Sequence, residues 1–311
     1  MTIIERKKSG FGARYLWPSL AAVVVMVGGG CLWLSAAHQA STDGNQPENR
    51  YSPLTKNNGA NKAVPDSKNA ASHSASHPLD EALKFVQPSL AALKDVKNYT
   101  AVFAKTELVH GRLLTQTMDM KFRQQPFSVY FHSHSKRKAG REVIFVDGQN
   151  DGKLIVHEVG LKAIVGTLNL NPEDPKVMDT SRHPITEVGM AKIIESAIDI
   201  WKNEKQNLDP ATIDVQIVQS VQVGETECEA VEIGHRRQAP GLDYQIGRVY
   251  VDKQSRLPVQ AELYGWPQTA DDEPPLLEKY TYTQVKTNVS LSDSDFDPQN
   301  REYRFAVTQR D

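Results

Sequence analysis

The sequence predicts an α+β protein, mostly antiparallel β, in which one sheet is curled around its helices. From Tyr99 onward, apolar residues recur with a period of two in about ten runs, which is typical of strands. Turn residues such as His110-Gly111 and Asp252-Lys253-Gln254-Ser255 separate these runs. Two segments with helical spacing lie among them without the βαβ alternation of a parallel sheet, so we expect hairpin-connected strands.

The N-terminus predicts a membrane anchor. Four basic residues precede an uncharged apolar run over residues 15–37: Arg6, Lys7, Lys8 and Arg14. About 20 apolar residues in a helix cross the hydrocarbon core, and the positive flank stays cytoplasmic. We predict a cytoplasmic N-terminus (1–14), a transmembrane signal anchor (15–37) and a C-terminal domain in the periplasm. The protein would be a single-pass inner-membrane protein.

Two alternatives for this N-terminal segment remain open. Ser35-Ala36-Ala37 is a small-residue site at which a signal peptide would be cleaved. Gly30-Cys31 would be a lipoprotein signal, although Leu32 and Trp33 continue the apolar run beyond it. Residues 38–76 are rich in Asn, Ser, Ala, Lys and Pro, and they predict a disordered linker before an exported domain over 77–311.

The two helical segments have distinct start signals. In the first, Ser76 is the expected N-cap with Pro78 in the first turn, and Pro88 is expected to kink or split the helix. The second is expected to begin at Pro184. Its apolar face comprises Ile185, Val188, Ile193, Ile194, Ala197, Ile198 and Trp201.

Composition excludes several classes of protein. Lys and Arg total 36 against 38 Asp and Glu, so the net charge of −2 offers no basic surface for nucleic acid. The two cysteines, Cys31 and Cys228, cannot form a disulfide framework. Cys228 lies in an alternating strand and is predicted to be a packing residue.

The stretch DGQNDGKLIVHE, from Asp147 to Glu158, has nearly the spacing of an EF-hand calcium loop. Such a loop needs a helix on each side, whereas β-branched and aromatic runs flank this one. We therefore predict a hairpin with its loop at about residues 147–153 and with Glu158 on the second strand.

Two histidine patterns are candidate chemical sites. His132 and His134 share one face of a strand, but zinc needs three or four ligands and no further Cys or His pair has suitable spacing, so a solvated loop is favoured. His183 and Glu187 would be base and orienting group in a hydrolase; the structural alternative is a helix start with Glu187 near the positive end of the helix dipole. We predict no catalytic residue, no metal and no cofactor.

Several stretches resemble an uncharacterised bacterial family, the domain of unknown function 1571: NYTAVFAKTELVHGRLL, KFRQQPFSVYF, GREVIFVDGQNDGKLIVHE, GTLNLNP, RHPITEVG and YTYTQVKTNVSLSDSDFDPQN. The resemblance covers about residues 79–305. That family is in turn similar to the outer-membrane lipoprotein carriers LolA and LolB. The resemblance implies an open β-barrel or half-barrel with a helical lid over an apolar pocket.

The resemblance also implies site residues. Arg123 matches the carriers' arginine, which hydrogen-bonds the lid, and Phe127 matches the aromatic that follows it. The strand aromatics are expected to be mostly core, with some lining an apolar cavity. The expected ligand-binding residues are Arg123, Phe103, Phe127, Tyr130, Phe145 and Tyr264.

The function expected is that of a non-enzymatic envelope binding protein, tethered to the inner membrane, that holds a lipid, an acyl chain or a lipoprotein segment. The alternatives are an envelope protein–protein assembly module with an unknown protein partner and, less favoured, a hydrolase using His183.

Overall fold

The computed structural model describes the folded part of the chain: Leu54 and residues 76–136, 138–160, 166–269 and 271–305. All of these residues belong to one compact unit, residues 47–311. The predicted anchor at 15–37 lies outside the described residues, as does the predicted linker apart from Leu54 and Ser76. Within the described ranges, no helix has the length and apolar character needed to cross a bilayer.

Eleven strands in the described part of the chain form one antiparallel sheet. They are β1 (Asn98–Val109), β2 (Arg112–Arg123), β3 (Ser128–Ser133), β4 (Glu142–Val146), β5 (Leu154–His157), β6 (Thr167–Leu170), β7 (Ile213–Val223), β8 (Thr226–His235), β9 (Ile246–Asp252), β10 (Pro258–Tyr264) and β11 (Leu276–Thr287). The helices are α1 (Pro78–Leu93), α2 (Pro175–Met178) and α3 (Met190–Asn207). Short 3-10 turns occupy Asn150–Gly152, Ile185–Glu187, Pro210–Thr212 and Asp293–Phe296.

The strand order across the sheet is β6-β5-β4-β3-β2-β1-β11-β10-β9-β8-β7. Every neighbouring pair is antiparallel, and the first strand pairs with the last, so two meanders are joined between β1 and β11. The predicted open antiparallel sheet is therefore confirmed. The strand that the pattern missed is β6, a four-residue edge strand too short to show a clear period.

The predicted hairpins form where the turn residues stand. His110 and Gly111 both have positive φ, 49° and 75°, which matches the twist of a two-residue hairpin turn between β1 and β2. The Asp147–Glu158 stretch is also the predicted hairpin, made by β4, the 3-10 turn at Asn150–Gly152 and β5. Glu158, predicted on the second strand, lies just beyond its end at His157 and pairs with Arg141 at 3.0 Å.

Helix α1 differs from the prediction at its start and in its middle. His77, not Ser76, is the N-cap, because its Nδ1 accepts from the backbone N–H of Leu79. Pro88 lies inside one helix that continues to Leu93, so the predicted split is wrong, whereas the kink stays a prediction. Pro88 is exposed and lacks a backbone N–H, so the helix loses one hydrogen bond there. Val86 and Leu93 on either side of it remain buried, and such packing supplies most helical stability in proteins.

Helix α3 begins at Met190, six residues after the predicted start. Ile185–Glu187 form a separate 3-10 turn, and Gly189 interrupts the helix with φ 131° and ψ 152°. The hydroxyl of Tyr99, on β1, accepts a hydrogen bond from the N–H of Met190 at 3.2 Å. A side chain of the sheet thus caps the helix, which local spacing could not indicate.

One core cluster joins both halves of the sheet to the two long helices. It contains Phe131 on β3, Val231 on β8, Leu79 on α1 and Ile194 on α3. Strands that lie far apart in the strand order thus share one core with α1 and α3, as expected for a sheet curled around its helices. Cys228 is a buried packing residue in a second cluster, as predicted, and burial raises the pKa of its thiol to about 12.

We expect Gly189→Ala to lower the free energy of unfolding by about 2–3 kcal/mol, since this backbone region is essentially confined to glycine. A Cβ would also lie 3.1 Å from Cε2 of Phe122. Denaturant unfolding followed by the fluorescence of buried Trp201 measures this loss.

The matched control is Gly111→Ala, at φ 75° with no atom within 4 Å of the added Cβ. It should lose only about 1 kcal/mol. Equal losses in the two variants would contradict the role assigned to the Gly189–Phe122 contact.

Candidate functional site

The sheet has two faces, because side chains alternate along each strand. The helix face is the one covered by α1 and α3, and Tyr99, Ala101 and Phe103 of β1 point to it. Lys121 and Arg123 of β2 point to the opposite side, which we call the outer face.

A continuous band of aromatic rings crosses the helix face; we call it the aromatic strip. Its members are Tyr99, Phe103, Phe122, Phe127, Phe131, Phe145, Tyr280 and Tyr282. Phe103 lies at its centre, 4.8 Å from the Tyr282 ring and 5.8 Å from the Phe131 ring. The strip runs from β11 to β4, and the helix pair shields its central part from solvent.

Three of the predicted ligand-binding residues lie on the strip. Phe103 and Phe145 are buried, whereas Phe127 is partly exposed and packs edge-on against Phe122 at 5.4 Å. The structure brings these three to one surface. Their role in ligand binding stays a prediction.

Arg123 and Tyr130 lie on the outer face, away from the strip. Arg123 donates to Asp293 at 2.6 Å, and its guanidinium lies 4.8 Å from the ring of Phe296. Tyr130 stacks on Tyr303 with ring centroids 4.2 Å apart. Both therefore contact the C-terminal segment, residues 289–305, where the resemblance implied a helical lid for Arg123. Arg123 and Tyr130 point to the outer face because side chains alternate along a strand. Their chain neighbours Phe122 and Phe131 point to the helix face.

Tyr264 is also on the outer face, in a small cluster with Ile246 and Leu276. Its hydroxyl donates to Glu262 at 3.1 Å. Glu262 also binds Arg248. Burial alone would raise the pKa of Glu262, but the charges of Lys279 and Arg248 outweigh this effect, so the pKa is lowered. Tyr264 thus belongs to a buried ionic network at a distance from Phe103 and Phe127 in the sheet order.

At one end of the aromatic strip lies a charged cluster of Lys105, Glu107, Glu278 and Tyr280. Glu107 and Glu278 face each other directly across the β1–β11 ladder, and both are buried. Lys105 Nζ donates to Glu107 at 2.7 Å, and Tyr280 donates to the other oxygen of Glu107, also at 2.7 Å. Opposed like charges in a sheet are destabilising, so this carboxylate pair requires further cations.

The segment that leads into α3, residues 179–189, supplies those cations; we call it the lead-in segment. Arg182 Nε and His183 Nε2 each lie 2.9 Å from the same oxygen of Glu278. Lys105 also donates to Ser181 Oγ at 2.8 Å. The N-terminal side of α3 is therefore attached to the sheet by charge-assisted contacts, which are stronger than neutral hydrogen bonds.

His183 lies between two carboxylates, with Nδ1 3.0 Å from Glu187 and Nε2 2.9 Å from Glu278. Burial alone would lower its pKa, but hydrogen bonds and attraction to both carboxylates outweigh this effect and raise the pKa to about 10. The hydrolase interpretation requires His183 and Glu187 to meet, and they do. A general base works best with a pKa near the operating pH, whereas His183 is protonated at neutral pH and has both nitrogens occupied.

The sequence prediction missed Lys105, Glu107 and Glu278. A signal was present, because Lys105 and Glu107 continue the phase of Tyr99, Ala101 and Phe103 on β1. Charged residues in the buried phase of a strand indicate a paired interior site. Their partners could not be identified, since Glu278 is more than 170 positions away in the chain.

Two other polar features lie outside the strip. A cleft of about 200 Å³ is lined by Asp214, Gln216, Glu232, Gly234, His235, Gln245 and Ile246. On the outer face, Asp119 joins His132 and His134 in a group whose potential ligand atoms all lie within 4.8 Å of one another.

The fold and this site define a class: an open antiparallel sheet whose aromatic face is covered by helices that an ion-paired segment holds in place. The chain belongs to the family described as Protein of unknown function (DUF1571), whose profile matches residues 96–305. The predicted family is therefore confirmed. Among curated proteins, none matches the sequence.

Several solved structures are similar over most of the folded part. The lipoprotein LppX from Mycobacterium tuberculosis is 14% identical, with 68% of this chain and 99% of that chain covered and a TM-score of 0.39. A LolA superfamily protein from Nitrosomonas europaea is 10% identical, covering 70% and 97%, with a TM-score of 0.29. MucB in complex with MucA(peri) is 13% identical, covering 73% and 62%, with a TM-score of 0.38. These TM-scores are too low to carry an argument about function.

We expect the stability difference between the wild type and His183→Gln to depend on pH. The pKa of His183 rises from about 6.5 in the unfolded chain to about 10 in the fold. The contact therefore stabilises fully below about pH 6.5 and is lost as the pH rises to 10. Melting temperatures measured from pH 6 to pH 10 should differ most at the acidic end and converge at the alkaline end.

The control is His110→Gln, which removes an exposed histidine 3.4 Å from Asp179. Its melting temperature should follow the wild type at every pH. A His183→Gln difference that stays constant across the range would show that His183 is not held as a cation.

Proposed function

We propose that this protein is a non-enzymatic envelope binding protein that holds an acyl chain, free in a lipid or attached to a protein, against the aromatic strip. Residues 15–37 would tether it to the inner membrane, with the folded domain in the periplasm. The observation that carries the proposal is the aromatic strip itself, covered by a helix whose N-terminal side is attached through ion pairs as well as through apolar contacts of Ile185 and Val188.

The strip has the chemistry that an acyl chain requires. It is built from rings in mutual contact, and the side chains that cover it from α3 are apolar: Met190, Ile194, Ala197, Ile198 and Trp201. A chain that replaced α3 would exchange one apolar contact for another, and each methylene removed from water contributes about 0.8 kcal/mol. Binding therefore needs no catalytic group.

The lead-in segment has features suited to opening. Buried ion pairs contribute little net stability because desolvation offsets their attraction. If the segment left, water would solvate Glu278 in place of Arg182 and His183, whereas Glu107 would keep its contacts with Lys105 and Tyr280 on the sheet. Gly189 separates the segment from α3, and its backbone freedom allows a change of direction at that point.

Photo-cross-linking in cells tests the ligand. A photoreactive amino acid at Phe127, on the partly exposed part of the strip, should capture an acyl-containing molecule that mass spectrometry identifies. The matched control is Ile200, an apolar residue on α3 with 37% exposure, which should not capture it. Equal lipid capture at both positions would contradict the proposal, and a defined protein at Phe127 without any acyl group would favour the assembly-module alternative.

Exchange of a fluorescent acyl probe tests the lead-in segment. Glu278→Gln removes the carboxylate that holds both Arg182 and His183, and hydrogen bonds to charged groups contribute about 1.5–3 kcal/mol. We expect probe exchange in the full-length protein to become about tenfold faster or more. Glu262→Gln, in the buried network on the outer face, is the control and should leave the rate unchanged. Equal acceleration in both variants would indicate general loosening instead.

A further inference from the structure

We infer that the outer face carries a binding site for a divalent transition metal, with Zn²⁺ as the preferred physiological ion, formed by Asp119, His132 and His134. Asp119 is on β2, and His132 lies directly opposite it on β3. His134 follows two residues later, on the same side of the chain. All three side chains are accessible, with exposed fractions of 54%, 31% and 48%.

The potential ligand atoms converge on one point. Asp119 Oδ2 lies 2.7 Å from His134 Nε2 and 3.8 Å from His132 Nδ1. The imidazole rings are nearly perpendicular, at 88°, with centroids 5.1 Å apart. Zn²⁺ binds nitrogen and oxygen ligands at about 2.0–2.2 Å, so tetrahedral ligands lie about 3.3–3.5 Å from one another. Small side-chain rotations bring the three atoms to that spacing.

The backbone beneath the group is held by the sheet. The β2–β3 ladder fixes Asp119 against His132. Beyond the ladder, the N–H of His134 donates to the carbonyl of Thr117, and the N–H of Thr117 donates to Ser135 Oγ, both at 2.9 Å. All three ligands are therefore on ordered chain, and binding an ion would order side chains only.

The ligand set selects the kind of ion. Two imidazoles with one carboxylate suit Zn²⁺, Cu²⁺ and Ni²⁺, whereas Mg²⁺ and Ca²⁺ prefer oxygen ligands alone. Three protein ligands leave one tetrahedral position for water or for a donor from another molecule. The sequence showed the two histidines but not the third ligand, because a carboxylate on the preceding strand enters the group only through the strand register.

The same chain contains a matched pair that lacks the third ligand. His110 Nε2 lies 3.4 Å from Asp179, and both side chains are exposed. If an exposed imidazole–carboxylate contact were sufficient for an ion, this pair would bind one equally well. It therefore separates a three-ligand site from an ordinary surface contact.

The experiment is a titration of the full-length protein with Co²⁺, followed by its visible d–d absorption, and then displacement by Zn²⁺. We expect one saturable site with a tetrahedral or five-coordinate spectrum that Zn²⁺ displaces and Mg²⁺ does not. Loss of a residue that only hydrogen-bonds a metal ligand weakens metal binding by about 10–100-fold. Asp119→Asn, His132→Gln and His134→Gln each remove a ligand itself, so each should weaken Zn²⁺ binding by at least this factor.

His110→Gln is the control and should bind as the wild type does. Circular dichroism of each variant verifies the fold. The inference is overturned if the wild type shows no saturable Co²⁺ spectrum, or if the His132→Gln and His134→Gln proteins bind Zn²⁺ as tightly as the His110→Gln protein.

Discussion

The pairing of β1 with β11 is the constraint on which the helix face depends. These strands are the first and last of the sheet along the chain, and their ladder joins the two meanders into one surface. It places Phe103 opposite Tyr282 in the centre of the aromatic strip. It also places Glu107 opposite Glu278 at the end of the strip, so the same register creates the apolar surface and a buried pair of like charges.

That pair of carboxylates explains the arrangement above it. Two anions in a buried position need compensation, and the nearest cations come from Lys105 and from the lead-in segment. The segment therefore lies across the end of the strip for an electrostatic reason, and α3 begins where the segment ends. Apolar packing stabilises α3 from Met190 to Trp201, and the ion pairs of Arg182 and His183 add a charged contact in the segment before it. These two kinds of contact respond to different conditions, since pH affects only the second.

The outer face is organised differently on its two halves. Over β2 to β4, the C-terminal segment covers Tyr130 and Ile144 and binds Lys121 and Arg123. Over β8 to β10, a network around Arg248 and Glu262 occupies the equivalent layer. Asp119, His132 and His134 lie beyond the first of these layers and remain accessible. An open sheet of this width thus uses both of its faces, and among the described residues the aromatic strip lies on the helix face.

The sequence by itself determined the elements. Period-two runs predicted ten of the strands, turn dipeptides predicted the hairpins at His110-Gly111 and at residues 147–153, and family motifs were sufficient for membership. Of the six predicted ligand-binding residues, Phe103, Phe127 and Phe145 share the helix face, whereas Arg123, Tyr130 and Tyr264 lie on the outer face. Helix limits were less accurate at Pro88 and Gly189, where contacts with the sheet outweigh local preference.

The tertiary structure alone decided which distant residues meet. Strand order brings Glu278 to His183 and Asp119 to His132, and it turns Arg123 toward the C-terminal segment. The spacing of residues along the chain does not predict these contacts, because they depend on the register between strands. A shift of one residue in that register moves a side chain to the other face. The sequence determines the period of each strand, but the charges and ligands that share a site depend on register between strands, which only the folded sheet sets.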